Sequence, residues 1–488
     1  MKILDPEILD RVRKTRHLRY KLSKYHVFTP AFVDQIDQQC KRLLFATRKA
    51  ELHLIDNASW QKIESGHFDD LPPELLSDLI AAELLVPYDE DELKTVLNRN
   101  NQAVRDDDVF TLVIQPTAFC QLGCGYCGQE HTSKWLSTEH QNDLIEHTRG
   151  KLSSKSFRHV TVSWFGAEPL SGLSVIRALT PRLKQLAAEF NCTYDSSMTT
   201  NGLALTSKVA RELVLEHSLR FVTISLDGTR EFHDERRPTK SGAGTFDSIF
   251  SNVVALANQD DLNVDIKIRA NVDRRNCEGV KPLLHLLAGA GIQQRIKFYV
   301  APIHSWGNDA HQLSLTPGEF AAREIQWMAE MVRLKFRVGP LPTLQPIVCL
   351  AVQPHGTLID ATGTLFNCTE VSYVPAYGSP NLYAIGHVSR GEAGEKRELL
   401  GNFNSRVERG EYPCSSCRML PVCGGACPKA WLEGHEPCPS AKLNVEDRLL
   451  LSYALTRIAN QEKVTKVPTP ALAFAALGQL DETRAPQT

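Results

Sequence analysis

Long apolar runs and a strong excess of either charge are both missing from this 488-residue sequence. No stretch approaches the roughly 20 apolar residues of a membrane-spanning helix, so we expect no membrane contact. Lysine and arginine number 55 against 57 aspartate and glutamate residues, which gives a formal net charge of −2. Because this balance lacks the basic footprint of a nucleic-acid-binding protein, we also expect no nucleic acid partner.

Residues 1–7 lack the apolar core of a signal peptide, so we expect no signal peptide and a cytoplasmic location. Thirteen cysteines in a reducing compartment indicate metal or redox chemistry, not a disulfide framework. Ten of them form two groups. The other three are interpreted as plain reduced thiols: Cys40, Cys192 and Cys277. The composition, 42% hydrophobic and 23% charged, is that of an ordinary globular protein.

The first cysteine group places three thiols close together, at Cys120, Cys124 and Cys127, with no fourth nearby. Thiolates hold iron–sulfur clusters, and a cubane with three protein thiolates keeps one iron open. Zinc is the alternative, but a structural zinc site needs four ligands. The preceding residues 110–116 are mostly β-branched or apolar and predict a buried strand. The thiols therefore lie on a loop that leaves a strand end.

Strands and helices alternate from about residue 108 to 335, which is typical of a parallel sheet with helical crossovers. Six strands are predicted to begin at Phe110, His159, Thr193, Leu219, Asn263 and Arg295. Helical patterns cover residues 137–152, 173–189, 205–217, 245–258, 277–289 and 317–334. Six units are too few for a closed eight-unit barrel and favour an open partial barrel. Right-handed crossovers bring the strand carboxyl ends to one edge.

Glycine and polar residues stand at these strand ends. The second strand ends in Gly166, Ala167 and Glu168, where a carboxylate on a tight turn suits an ammonium group and glycine lets the backbone approach closely. Other polar residues at or after strand ends are Asn201, Ser225, Arg236, Arg237 and Arg269. The occurrence of all these residues in this order at successive strand ends is stronger evidence for a functional site than any single turn.

With these motifs in this order, the sequence resembles the radical S-adenosylmethionine (SAM) enzymes, whose signature CxxxCxΦC has an aromatic Φ. The resemblance implies a partial (β/α)6 barrel over residues 106–340 and a catalytic [4Fe–4S] cluster on the three thiols. It implies a SAM site formed by Tyr126, Gly166, Ala167, Glu168, Asn201, Ser225, Arg237 and Arg269. In this resemblance Glu168 receives the SAM amino group, and Arg237, or alternatively Arg236, pairs with the SAM carboxylate. Ala167 replaces a family glycine and fits only with a negative φ.

The second cysteine group lies within residues 345–440. It consists of Cys349, Cys368, Cys414, Cys417, Cys423, Cys427 and Cys438. Its spacing resembles the SPASM extension, which carries two auxiliary [4Fe–4S] clusters, while a zinc ribbon remains the alternative because CxxC also suits zinc. Residues 356–366 between the first pair predict a β-hairpin.

Seven thiols cannot supply eight ligands to two auxiliary clusters. In the family resembled, the inner cluster takes Cys349, Cys368 and Cys427. The outer cluster then takes Cys414, Cys417, Cys423 and Cys438. The fourth inner position is left to His355 or to an open iron site.

The two ends of the chain are predicted to be separate units. Residues 1–105 have strands at 25–28, 43–47 and 51–55 and helices starting near Asp56 and Leu71, which favours a small α+β, winged-helix-like module. It is either a cap or a site where a peptide leader docks. Residues 89–108 are charged and predict a connector. Residues 441–488 predict a helix at 445–458 and a loosely held tail from Lys463.

The resemblance implies an oxidoreductase-type maturase of a ribosomally synthesised peptide (RiPP), which installs a crosslink or related modification. Its expected partners are a precursor peptide and a one-electron donor such as flavodoxin or ferredoxin. A sulfatase maturase that forms formylglycine is the nearest alternative. The family places an aspartate directly after the second SPASM cysteine, where this chain has Thr369. An RNA-modifying radical enzyme and a non-catalytic iron–sulfur carrier are alternatives of other classes.

Overall fold

A computed structural model describes residues 19–34, 37–305 and 307–464 of the chain. The residues on which we based the absence of a signal peptide lie outside these ranges. The residues of the tail predicted from Lys463 also lie outside these ranges, apart from residues 463 and 464. In the described part of the chain, no helix is both long and apolar enough to span a bilayer.

Within the described residues the strands are β1 (Tyr20–Leu22), β2 (His26–Phe28), β3 (Phe32–Val33), β4 (Cys40–Ala46), β5 (Glu51–Asp56), β6 (Leu85–Pro87), β7 (Val109–Ile114), β8 (His159–Trp164), β9 (Thr193–Thr200), β10 (Leu219–Ser225), β11 (Asp265–Val272), β12 (Ile296–Pro302), β13 (Thr357–Ile359), β14 (Thr364–Phe366), β15 (Gly386–His387) and β16 (Gly391–Glu392). The helices are α1 (Asn57–Glu64), α2 (Pro73–Ala81), α3 (Glu92–Asp106), α4 (Thr138–Ser154), α5 (Leu173–Glu189), α6 (Ser207–Leu215), α7 (Arg230–Arg236), α8 (Phe246–Ala257), α9 (Val280–Gly289), α10 (Pro317–Arg333), α11 (Gly394–Gly401), α12 (Phe403–Glu408), α13 (Leu420–Cys423), α14 (Pro428–Leu432) and α15 (Val445–Val464).

The centre of the molecule is a sheet of six parallel strands, ordered β12-β11-β10-β9-β8-β7. Along β8, Val160, Val162 and Trp164 are buried and alternate with half-buried residues, because successive side chains of a strand point to opposite faces. Helices α4, α5, α6, α8 and α9 connect consecutive strands, and α10 follows the last one. The predicted partial (β/α)6 barrel is therefore confirmed, with strand starts within two residues of their predicted positions.

The predicted hairpin of residues 356–366 is also present, but its place in the fold was not predicted. Its first strand, β13, pairs in parallel with β7, with Ile359 opposite Ile114. β14, β15 and β16 then extend the same sheet by antiparallel pairing. The segment that carries the second cysteine group thus continues the barrel sheet beyond its first strand.

The N-terminal part folds as a small α+β unit. β4 pairs with β5 along one side and with β2 and β3 along the other. α1 begins after Asp56, whose carboxylate accepts a hydrogen bond from the Ser59 amide at 2.9 Å. Trp60 and Leu79 bury the two helices against this sheet. The predicted strands and helices of this region are confirmed, and its winged-helix character remains an interpretation.

The prediction of a charged connector at residues 89–108 is wrong, because α3 occupies most of this range. The carboxylate of Asp91 caps the helix by accepting a hydrogen bond from Lys94 N at 3.1 Å. Val96 and Leu97 are buried in one apolar cluster with Phe403 of α12. The charges that suggested a connector lie mainly on the exposed side of an amphipathic helix.

The N-terminal unit packs directly on the second cysteine segment. Tyr25 is completely buried in an apolar cluster that includes Cys414 and Leu420. Phe45 is buried in another that includes Met419 and Val422. These contacts join two parts of the chain that are far apart in sequence.

A buried ionic cluster fastens β16 to α4. Oxygens of Glu392 lie 2.9 Å from Lys151 Nζ, 2.9 Å from Arg397 Nη2 and 3.5 Å from His147 Nε2. Burial alone would raise the pKa of Glu392, but the hydrogen bonds and charges of these three partners outweigh it and hold the pKa well below its ordinary value. Because the folded pKa is lowered, this stabilisation is complete above the ordinary glutamate pKa and is lost as the pH falls towards the lowered one.

We expect Glu392→Gln to reduce the free energy of unfolding by about 2 kcal/mol near neutral pH, because Lys151 and Arg397 lose their buried anion. Thermal unfolding of the anaerobic protein measures this change. The difference from the unsubstituted protein should shrink as the pH falls below the ordinary glutamate pKa. The matched control is Glu411→Gln, whose carboxylate forms exposed ion pairs with Arg406 and Arg409. Equal unfolding midpoints for the two variants would contradict the expectation.

Candidate functional site

The loop after β7 carries the first three thiols and is held in place by the segment that follows α7. Gly123 N donates to Pro238 O at 2.8 Å, and Gly125 N donates to Arg236 O at 3.0 Å. These two glycine amides flank Cys124, so backbone hydrogen bonds fix the middle of the motif. The loop therefore lies at the carboxyl end of the sheet, against the residues that follow β10.

The three thiols are neighbours that differ in exposure, since Cys120 is buried, Cys124 half-buried and Cys127 exposed. Burial, with smaller contributions from Glu168 and Cys124, raises the pKa of Cys120 to about 12. Burial also raises the pKa of Cys124, with Arg237 opposing this and Cys127 adding to it. Such thiols stay protonated unless a cation binds, and metal coordination removes the proton.

Glu168 ties the ends of β8 and β9 together. It is 1% exposed, and one carboxylate oxygen accepts hydrogen bonds from Leu170 N at 2.9 Å and Thr200 Oγ1 at 2.7 Å. The other oxygen accepts one from Asn201 N at 2.7 Å. Burial nevertheless raises the pKa of Glu168. Since a carboxylate has about four acceptor positions, one remains for a further donor such as an ammonium group.

The turn before Glu168 depends on glycine at one position only. Gly166 has a φ of +105°, and a Cβ at this position would lie 2.8 Å from Cγ of Gln115. Ala167 is not among the residues with a positive φ, as expected for an alanine at this position of the turn. Gln115 in turn donates to Ser372 Oγ at 2.7 Å. The turn thus makes close contact with the residue that follows β7.

Tyr126 is part of a buried polar network. Its hydroxyl donates to Asp227 Oδ2 at 2.5 Å and accepts from Asn271 Nδ2 at 3.1 Å and from Arg237 Nη1. Burial raises the pKa of Tyr126 well above its ordinary value, so the hydroxyl keeps its proton. Asp227 is fully buried and also accepts from the Asn271 amide at 2.9 Å. Sequence reasoning did not include Asp227 or Asn271 in the site, although both stand at strand ends.

His233 of α7 is hydrogen-bonded to this network through the backbone of Asp227. Its Nδ1 accepts a hydrogen bond from Asp227 N at 3.2 Å, so the proton resides on Nε2, which donates to Thr245 Oγ1 at 3.1 Å. Thr245 Oγ1 donates onward to Arg237 O at 2.8 Å. Burial lowers the pKa of His233 to about 4, with Arg237 contributing, so the ring is neutral at physiological pH. Helix α7 was not predicted.

The two consecutive arginines at the end of α7, Arg236 and Arg237, have different surroundings. Arg236 donates from Nη1 to both oxygens of Asp273 at 2.8 Å, which makes it part of a buried structural pair. Arg237 is 6% exposed, and its Nε has no hydrogen-bond partner among the described residues. Nε and Nη2 of Arg236 also lack partners, but both oxygens of Asp273 already pair with Arg236, whereas Arg237 Nη1 donates to a neutral hydroxyl and lies 3.7 Å from Asp227. Arg237 is therefore the better candidate for pairing with a ligand carboxylate.

The remaining residues of the expected SAM site also lie at these strand ends. Ser225 is the last residue of β10 and stands opposite Arg269 of β11. Nδ2 of Asn201 points to Cys120 Sγ at 3.9 Å. Among the buried polar atoms that lack partners within the described chain are Arg269 Nε and Gln115 Oε1. SAM carries an ammonium group and a carboxylate group, and both fit these unused donors and acceptors.

Three of the second-group cysteines converge. Burial raises the pKa of Cys368, and Glu370, Cys427 and Cys349 add to the rise. Burial also raises the pKa of Cys349 to about 11, again with a contribution from Cys427. We call Cys349, Cys368 and Cys427 the inner set.

The other four cysteines of the second group line one cavity with Trp431 and Lys442. We call Cys414, Cys417, Cys423 and Cys438 the outer set. Burial, with contributions from the three other thiols of the outer set, raises the pKa of Cys414 to about 12. Within the residues described, no three Cys, His, Asp or Glu side chains are spaced to share a single metal ion. A four-iron cluster is wider than one ion, and sets of three and four thiols have the chemistry to hold such clusters.

His355 lies away from the inner set. Its ring packs edge-on against Phe157 at a centroid distance of 5.4 Å, and the charges that act on it are those of Lys151, Lys155, Arg397 and Glu392. The three leftover cysteines are also apart from both sets, and none of the thirteen cysteines, all within the described ranges, forms a disulfide.

Comparisons with known proteins agree with this geometry. Residues 114–260 match the family model described as the radical SAM superfamily. A serine-type anaerobic sulfatase-maturating enzyme of Bacteroides thetaiotaomicron is 25% identical over 365 residues, which are 66% of this chain and 83% of that enzyme. The uncharacterized protein sll1766 of Synechocystis is 27% identical over 174 residues, 33% of this chain, and the chain spans 42% of that protein.

Solved structures show the same fold. Native anSMEcpe with bound AdoMet superposes with a TM-score of 0.54 and 16% identity, over 73% of this chain and all of that one. The same protein with bound AdoMet and the Cp18Cys peptide gives a TM-score of 0.52 and 17% identity, over 73% of this chain and 100% of that chain. At this identity the likeness establishes the fold of the chain and nothing finer.

We expect Gly166→Ala to weaken SAM binding about tenfold, because alanine is strained at this φ and its Cβ displaces Gln115. Equilibrium binding of SAM to the cluster-loaded protein measures the effect. Gly150→Ala is the control, since nothing lies within 4 Å of the added Cβ in α4. An unchanged dissociation constant for Gly166→Ala would argue against a SAM site at this turn.

Proposed function

Because this chain is a radical SAM enzyme related to the sulfatase maturases, we propose that it matures a ribosomally synthesised peptide by removing a hydrogen atom from one of its residues. The reaction then yields a crosslink or a related modification. The observation that carries the proposal is the position of Cys120, Cys124 and Cys127 at the carboxyl end of β7. They lie there beside buried Glu168 and Arg237.

Each group of this site has a proposed part. When bound and reduced, the cluster and SAM together supply a 5′-deoxyadenosyl radical, which takes hydrogen from an unactivated carbon. Cys120, Cys124 and Cys127 hold three irons of that cluster. Glu168 accepts the SAM ammonium, and Arg237, oriented by the Tyr126 hydroxyl, pairs with the SAM carboxylate. The remaining expected SAM contacts are the Gly166–Ala167 turn, Asn201, Ser225 and Arg269.

The inner and outer sets are proposed to hold two auxiliary [4Fe–4S] clusters. The outer set supplies four thiolates and the inner set three, so the inner cluster keeps one iron without a cysteine ligand. The surroundings of His355 favour an exchangeable position over ligation by that ring. A one-electron donor such as flavodoxin or ferredoxin is the proposed reductant.

A peptide substrate is supported by the solved relative that binds the Cp18Cys peptide and by a free strand edge in the N-terminal unit. β5 pairs with β4 along one side, and no described strand lies along its other side. Leu43 O of β4 accepts a hydrogen bond from Thr29 N at 3.0 Å, and Leu43 N donates to Thr29 Oγ1 at 3.0 Å, both on the side away from β5. Leu54, opposite Leu43, therefore directs its own amide and carbonyl away from β4, towards the free edge.

Formylglycine formation on a sulfatase is the second candidate, favoured by the sulfatase-maturating relative that matches 66% of this chain. Against it, Thr369 follows Cys368 where those enzymes, by the resemblance described above, carry an aspartate. Mass spectrometry separates the two candidates. Formylglycine at a cysteine or serine of a sulfatase peptide supports the second, and a modified precursor peptide supports the first.

We expect the anaerobically reconstituted protein with dithionite to cleave SAM to 5′-deoxyadenosine. Replacing Cys120, Cys124 and Cys127 together by alanine should abolish this cleavage and remove about one third of the iron. Chromatography of 5′-deoxyadenosine and iron analysis provide the two readouts. The control replaces Cys40, Cys192 and Cys277 instead, and it should retain both. Undiminished cleavage in the first triple variant would reject this catalytic cluster, and a non-catalytic iron–sulfur carrier would give no cleavage at all.

We expect Leu54→Pro to weaken precursor-peptide binding about tenfold, because proline removes the outward amide that an added strand needs. Leu54→Ala retains that amide and is the matched control. Basal SAM cleavage should be unchanged in both variants. Fluorescence anisotropy of a labelled leader peptide measures the binding. A single substitution is preferable to truncation because Tyr25 and Phe45 bury part of the outer-set segment. Equal affinity in both variants would make this unit a cap only.

A further inference from the structure

A single lysine lies against the sulfur atoms of the outer set. Lys442 Nζ donates to Cys438 Sγ at 3.1 Å and approaches Glu436 Oε1 at 3.2 Å. The same charge opposes the raised pKa of Cys414 and of Cys423. Lys442 also lines the cavity that the four thiols share. Its ammonium group is therefore directed at the whole outer set, not only at one thiol.

The backbone around Lys442 is firmly held. Lys442 N donates to Pro439 O at 2.9 Å in a 3₁₀ turn. Two residues later, Asn444 Nδ2 donates to Ala321 O at 2.9 Å and to Glu324 Oε2 at 3.0 Å, both in α10. The barrel thus anchors the turn that presents the lysine, and the hydrogen bond to Cys438 is not that of a loose surface side chain.

The charged side chains near the inner set form an ion pair with each other, between Lys429 and Glu433. Lys429 is 2% exposed, and its Nζ donates to Glu433 Oε2 at 2.6 Å. Tyr383 OH donates to the other oxygen of Glu433, also at 2.6 Å. This buried pair has no net charge, and its members bond to each other. The direct ammonium-to-sulfur contact is found at the outer set.

Given the proposed ligand assignment, on which this inference rests, we infer that Lys442 is a positioning residue that raises the reduction potential of the outer cluster. A cluster gains one negative charge when it accepts an electron. A hydrogen bond and a positive charge at a ligand sulfur stabilise this reduced state. Glu436, whose carboxylate lies 3.1 Å from Cys438 Sγ, acts in the opposite direction. The balance of these two side chains sets the ease with which the outer cluster takes up an electron.

The test uses the full chain with Cys120, Cys124 and Cys127 replaced by alanine, so that only auxiliary clusters contribute to the electron paramagnetic resonance spectrum. Redox titration gives a midpoint potential for each signal. In Lys442→Met we expect one midpoint to fall by about 59 mV or more, a tenfold change in the ratio of reduced to oxidised cluster, while the other stays in place. Glu436→Gln should shift the same signal upward, and Lys442→Arg should restore the original value.

Controls separate failure of the inference from failure of the ligand assignment. Leu443→Ala, at an exposed neighbouring position, should leave both midpoints unchanged. Cys414→Ala and Cys423→Ala should each remove one auxiliary signal, and full iron in both would reject the outer set itself. With iron retained, an unmoved midpoint in Lys442→Met, or an equal shift of both signals, overturns the role of Lys442. If Lys442→Met fails to fold, Glu436→Gln decides, because an unshifted or lowered midpoint in that variant also overturns it.

Discussion

The parallel pairing of β13 with β7 is the interaction on which the rest of the site depends. β7 is the strand whose carboxyl end carries the first three thiols, and it is covered on one side by β8 and on the other by β13. The hairpin between Cys349 and Cys368 is therefore not an appendage but the next part of the same sheet. Glu392 of β16, which is largely buried, reinforces this arrangement by pairing with Lys151 of α4 and accepting a hydrogen bond from Thr357 of β13 at 3.1 Å.

Much of the barrel was predictable because its signals are local. Each strand is a short apolar or alternating run, and six of the helices follow a 3.6-residue pattern, so these elements were found within a few residues, whereas the seven-residue α7 was not. The residues of the proposed SAM site were implied by the resemblance to the radical SAM enzymes, and the rule that parallel strands share one carboxyl edge explains why Glu168, Asn201 and Ser225 come together. The φ of Ala167 is a sharper case, since chirality alone excluded the left-handed region for it.

The features that could not be predicted depend on tertiary contacts. Ten of the fifteen residues of α3 are polar or charged, and the burial of its apolar side against Phe403 explains why residues 92–106 are helical. Asp227 and Asn271 were visible as strand-end residues, but their joint contact with the Tyr126 hydroxyl required the register of β10 and β11. Lys442 had no sequence signal, because a lysine four residues after a cysteine is commonplace. Its position became informative only when α10 was seen to fix the turn.

The packing of the N-terminal unit on the outer-set segment has a consequence for how the protein is made. Thr47 donates to the Arg418 carbonyl at 2.7 Å across 371 residues of sequence, and Tyr25 and Phe45 share apolar clusters with residues equally distant. At roughly 5–20 residues per second, the ribosome delivers these partners on the order of tens of seconds after the N-terminal unit has emerged. That unit therefore waits with an apolar face uncovered, a period in which a chaperone has a surface to bind. This face is covered, and the outer set is assembled, only after the later segment has left the ribosome.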